Sequence, residues 1–76
     1  MFVLSAEKLG ALENHLKLVL RDSEGNTIKA MAFYAKEEWM EIRGGEVVDA
    51  WVVFGINEFR GERTVEGRLV KIKKKL

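Results

Sequence analysis

The chain has no cysteine and only one histidine. The first absence excludes a disulfide brace, a thiolate metal site and a cysteine nucleophile. With the histidine alone, a structural zinc centre is excluded as well, because zinc takes several nitrogen or sulfur ligands. Aspartate occurs only at Asp22 and Asp49, and glutamine not at all. No apolar run nears the roughly 20 residues that carry a helix across a bilayer. The opening MFVLSAEKLG lacks the basic start and long apolar stretch of an export signal. A cytoplasmic address is therefore the default expectation, with no membrane as partner. No acid, base or metal-ligand pair stands at a spacing that suggests catalysis, so this chain by itself is not expected to be an enzyme.

What is present is a chain of 76 residues, 47% of them hydrophobic. That length suits a single domain over residues 1–76, burying about 60% of its unfolded surface. The core must come from packed Leu, Ile, Val, Phe and Trp. The organising stretch is His15 to Tyr34, HLKLVLRDSEGNTIKAMAFY. Leu16, Leu18 and Leu20 alternate with His15, Lys17, Val19 and Arg21, the period of a strand with one buried and one wet face. Asp22 to Asn26 supplies turn chemistry, and Thr27 to Tyr34 reads as the returning strand. Its two faces are less clearly split, because Ala30 and Ala32 suit either. A hairpin alone is marginal in water, so the remaining strands must cover its leucine row.

Along the chain, Phe2 to Leu9 is a first strand and Gly10 to Asn14 a loop. After Tyr34, AKEEWMEI (Ala35 to Ile42) carries helix formers, with Ala35, Trp39 and Ile42 on one helical face and Gly44-Gly45 as the stop. Glu46 to Phe54 reads as a valine-rich strand. Val48, Ala50, Val52 and Phe54 form one side of it, and Asp49, Trp51 and Val53 the wetter one. GINEFRG (Gly55 to Gly61), bounded by glycines, reads as a loop. Glu62 to Lys73 is the last strand, with Gly67 marking a bulge or sharp bend, and Lys73 to Lys75 reads as a frayed tail. Five strands with one short helix between the third and fourth predict an all-β class: a five-stranded OB-fold, a Greek-key barrel. An SH3-like barrel is the runner-up, disfavoured by the helix.

The net charge of +1 hides a strong asymmetry. Arg60, Arg63, Arg68, Lys71, Lys73, Lys74 and Lys75 face only Glu62 and Glu66 in the last segment. Between Glu37 and Glu58 the acids stand against Arg43 alone. Such polarisation steers charged ligands without bearing on the fold.

The runs HLKLVLRDSEG and IKAMAF, followed by GGEVVDAWVVF and NEFRGERTVEGRLV in that order, resemble the OB-fold domain of RecJ-type single-stranded-DNA exonucleases. The resemblance covers almost the whole chain and rests on the order and spacing of its elements. It implies a domain that grips single-stranded DNA and guides it to a catalytic core elsewhere. In that family, manganese or magnesium is held by Asp and His motifs of DHH and DHHA1 domains. No Asp-His-His motif occurs here. The chain is thus expected to be the OB domain alone, cut from a larger nuclease or encoded separately, without a cofactor of its own. Single-stranded DNA and the parent's catalytic domains are the expected partners, and no small-molecule substrate is expected.

OB-folds hold a strand across their second and third strands, flanked by the loops after strands one and four. Cations track phosphates there and aromatic faces stack bases. The candidate nucleic-acid-binding residues are accordingly His15, Lys17, Arg21, Lys29, Phe59, Arg60, Arg63, Arg68 and Lys71. Each has a plainer explanation beside it: lysines and arginines solvate any wet strand face, a lone histidine at a strand start is commonly structural, and Phe59 could plug a barrel end. Trp39 is expected in the core. Trp51 and Val53 are expected to dock onto another domain or protein, since Asp49 beside them repels phosphate. Tyr34 fits either role.

Overall fold

The structure, a computed structural model, describes residues 1–75 apart from the side chains of Asn57 and Phe59. The leucine row sits where its period demands: Leu16, Leu18 and Leu20 are at most 1% exposed. They belong to strand β2 (His15–Arg21), which lies antiparallel between β1 (Phe2–Leu9) and β3 (Thr27–Ala32). Opposite Leu18 and Leu16 stand Ala30 and Ala32, small enough to let the leucines fill the interior. Strands β4 (Val48–Phe59) and β5 (Glu62–Lys74) pair antiparallel over their whole length. A short parallel junction, Ala30 to Gly67 and Met31 to Arg68, joins β5 to β3. The sheet order is β1-β2-β3-β5-β4.

The sheet's two outer strands meet at one end. Phe2 bridges Val47. Alongside it, the Val3 N–H donates to the Glu46 carbonyl, the Gly45 N–H to Val3 and the Val48 N–H to Met1, each at 2.8 Å. The architecture is all-β, five strands with one 3₁₀ turn between the third and fourth, in the order of an OB-fold barrel. Val3, Ile42, Val48, Leu69 and Ile72 complete the core around the leucines. Among the described residues no polar or charged side chain is buried.

Several expectations are corrected. The helix over Ala35–Ile42 is a 3₁₀ turn of five residues, Glu37–Glu41. Its bonds run from the Trp39 N–H to Lys36 and from the Ile42 N–H to Trp39. A segment this short cannot offset the cost of nucleating an α-helix, and tight i to i+3 bonds suit a brief connector. The inward face survives the change, since Trp39 and Ile42 are three apart: Ile42 is buried, and Trp39 and Ala35 pack against the core. The third strand ends at Ala32, ahead of Phe33 and Tyr34.

The supposed loop Gly55–Gly61 is mostly strand, because β4 runs on to Phe59. The chain reverses at Arg60-Gly61, with φ of 52° and 78°. Two positive φ values between paired strands are the type I′ reversal, whose twist matches a β-hairpin. Gly55 is therefore a strand residue, paired with Glu66. The irregularity in β5 lies at Val70, which the register skips between the pairs Trp51–Lys71 and Val52–Leu69, and not at Gly67. Gly67 serves a closer purpose: a β-carbon there would collide with the Lys29 carbonyl oxygen where β5 meets β3. Finally, the expected frayed tail is pinned. β5 continues to Lys74, which forms an ion pair with Glu46 at 3.3 Å, and the Lys75 N–H donates to Val47.

Candidate nucleic-acid interface

Residues directly opposite each other in a sheet point the same way. Lys17 stands opposite Met31, Met31 beside Arg68, and Arg68 opposite Val53. One row of outward side chains therefore crosses four strands, β2, β3, β5 and β4. Lys29 stands two residues before Met31 on β3 and faces outward with it, and Phe33, in the turn just past the end of β3, is exposed on the same side of the cleft. Neighbouring strands lie about 4.8 Å apart, which puts the backbones of Lys17 and Arg68 about 10 Å from each other. Two cations on this row, and Lys29 just off it, thus surround an apolar floor of Met31 and Val53.

The long β4–β5 hairpin rises past the sheet and makes this wall concave. In its outer half Val53, Phe54, Ile56 and Val65 are exposed. Between the hairpin and the β2–β3 wall lies a cleft of about 580 Å³, lined among others by Lys17, Lys29, Phe33, Val53, Val65 and Arg68. Glu66 stands on the same rim. The wall around Lys17 and Lys29 is open to solvent, as a polyanion would require: Lys29 is exposed and Lys17 half-buried.

The other expected contacts are distributed differently. His15 is half-buried at the start of β2, where its Nδ1 accepts the Tyr34 N–H at 3.0 Å and its ring meets Phe33 and Tyr34 edge-on. It braces aromatic side chains and lies outside the cleft lining. Arg21 is at the far end of β2, over the Phe2 ring at 5.2 Å, beside a separate shallow depression. Arg60 and Arg63 stand at the tip of the hairpin, further out than the residues lining the cleft. The side chain of Phe59 lies outside the described residues. Lys71 sits over the ring of Trp51 at 5.0 Å, so these two form one cation–π pair. Val53, expected to dock a partner together with Trp51, lines the cleft opposite Arg68.

Sequence reasoning overlooked Met31, Phe33 and Val65 as cleft residues. The signal for the first two was available in the phase of Lys29: residues two and four positions further along a strand share its face. Val65 carries no such signal, because the glycines of Gly55–Gly61 suggest a loop where the structure has a continuous hairpin. Among the described residues no group of three potential ligands could hold a metal ion.

Residues 1–71 match the family model described as RecJ OB domain. No curated protein matches the chain, and no solved structure does.

Proposed function

The chain belongs to the RecJ OB domain family, and from that premise we propose that it grips single-stranded DNA in the cleft between the β2–β3 wall and the β4–β5 hairpin. The observation that carries this reading is the meeting of Lys17, Lys29 and Arg68 around an exposed Phe33 in one open groove. Lysine and arginine neutralise phosphates, while an aromatic face and the thioether of Met31 receive bases. Alone, an OB domain is a binding domain and supplies no chemistry. Its role is to guide the strand toward a metal-dependent 5′ exonuclease core carried by other domains.

The test is a fluorescence anisotropy titration with labelled oligo-dT at low and moderate salt. Binding should weaken steeply as salt rises, and replacing Lys17, Lys29 or Arg68 by alanine should weaken it further. Absence of binding at low salt overturns the reading for this domain.

A second reading, a docking module for a catalytic domain, is favoured by a different observation. Phe54, Ile56 and Val65 are 55%, 69% and 71% exposed along the outer hairpin. Under that reading, polar replacements of Phe54 and Ile56 disturb assembly with the catalytic domains and leave oligo-dT affinity unchanged.

A further inference from the structure

Phe33 and Arg68 line a second depression as well as the first. It occupies about 400 Å³ beyond the end of β3, where Tyr34, Lys36 and Trp39 form its remaining polar and aromatic walls. Tyr34 is 79% exposed and Phe33 60%. Aromatic rings that served only to plug a barrel end would be covered, and these are not.

The backbone makes the same point. Tyr34 has φ of 51°, the left-handed region that bulky side chains avoid. Two bonds hold it there. Its N–H donates to His15 Nδ1, and the following Ala35 N–H donates to the Asn14 carbonyl at 2.8 Å. The His15 ring packs edge-on against both neighbours, 5.4 Å from Phe33 and 5.0 Å from Tyr34 between centroids. The segment entering β2 thus enforces a strained conformation whose product is a tyrosine ring standing in solvent. Across the depression Trp39 is half-buried, with the Lys36 ammonium 5.6 Å from its ring. Three aromatic side chains and two cations therefore border an open hollow that continues the first cleft.

We infer that this hollow is a second nucleobase subsite: a strand lying in the first cleft turns at Phe33 and Arg68 and stacks a further base against Tyr34 and Trp39, with Lys36 and Arg68 on the adjoining phosphate. The inference rests on the first cleft binding a single strand, and it adds where that strand goes.

The test uses the whole chain and oligo-dT of graded length. Tyr34→Gly removes the ring at a φ that glycine adopts freely, so folding is preserved, which a thermal melt checks. Against the shortest oligomer that binds the native chain, Tyr34→Gly should bind as the native chain does. Against an oligomer several nucleotides longer it should bind about fivefold to a hundredfold more weakly, the loss of one stacked base. In Trp51→Phe, Trp39 is the remaining tryptophan of two. Its emission should change with the longer oligomer and not with the shorter one. Native-like affinity of Tyr34→Gly at every length, or Trp39 emission unmoved by the longer oligomer, overturns the subsite while the Lys17 and Lys29 variants still report on the first cleft. If the native chain binds no oligomer at low salt, both readings fall together.

Discussion

At Gly67 the tolerance of the fold is narrowest. The parallel junction brings β5 so close to β3 that any side chain meets the Lys29 carbonyl, with Val52 and Phe54 close on the other side. Gly67→Ala should therefore cost about 1–3 kcal/mol through forced backbone displacement, read as a lower denaturant midpoint with an unchanged slope. Asp22 shows a different kind of residue-level control. Its carboxylate accepts the N–H groups of Glu24 and Asn26 at 2.9 and 2.8 Å and the Asn26 side-chain amide at 3.1 Å. The Asn26 backbone bond leads in holding its pKa below the usual aspartate range; desolvation opposes it, and the Asn26 side chain and the Glu24 and Gly25 N–H groups tip the balance downward. A carboxylate whose pKa is lower folded than unfolded stabilises the fold above the ordinary aspartate range. That contribution fades as pH falls through the lowered value. The Asp22 carboxyl resonance should titrate below that of an unfolded peptide, and Asp22→Ala should flatten the acid limb of the stability curve.

At the scale of elements, the β4–β5 hairpin is the feature that turns a barrel wall into a cleft. Its reversal places Arg60 at a positive φ that asparagine adopts more readily, and Asn-Gly is the preferred type I′ pair. Arg60→Asn should raise stability by up to about 1 kcal/mol, the low end of what a non-glycine residue held in the left-handed region costs. If Arg60 contacts phosphate, the same variant should bind oligo-dT more weakly while melting at a higher temperature; affinity unchanged assigns Arg60 to the turn alone. The hairpin was illegible in the sequence for a physical reason. Gly55 and Gly61 look alike as letters, yet only Gly61 lies at a turn. The 3₁₀ connector misled in the opposite sense: helix-forming side chains state a preference, and over so few residues that preference does not offset the cost of nucleating an α-helix.

For the molecule as a whole, the radius of gyration is 12.6 Å, against about 11 Å for a compact chain of this length. The projecting hairpin accounts for the excess. The charge asymmetry also takes on a spatial meaning. Of the basic C-terminal segment, Arg68 enters the cleft, while Lys71 lies outside its lining, over Trp51, and Lys74 pairs with Glu46. Counting bases along the chain thus overstates how many face the proposed ligand. If the three cations of the cleft hold single-stranded DNA as proposed, each releases counterions and a definite salt response follows. Replacing Lys17, Lys29 and Arg68 together should reduce the slope of log affinity against log salt by about 2. A slope unaltered in the triple variant places the phosphate contacts elsewhere, with Arg60 and Arg63 at the hairpin tip the next to examine.

By itself the sequence determined the number and order of the strands, the inward leucine row, the Asp22 turn and the outward phase of Lys17 and Lys29, because alternation and turn chemistry are local properties written residue by residue. Which strands lie side by side was decided only in three dimensions. Arg68 reaches Met31 through a junction between strands more than thirty positions apart, and that pairing depends on a glycine whose need is set by a distant carbonyl. The cleft belongs to this second level: its walls are local, but their convergence is a consequence of the junction between β3 and β5.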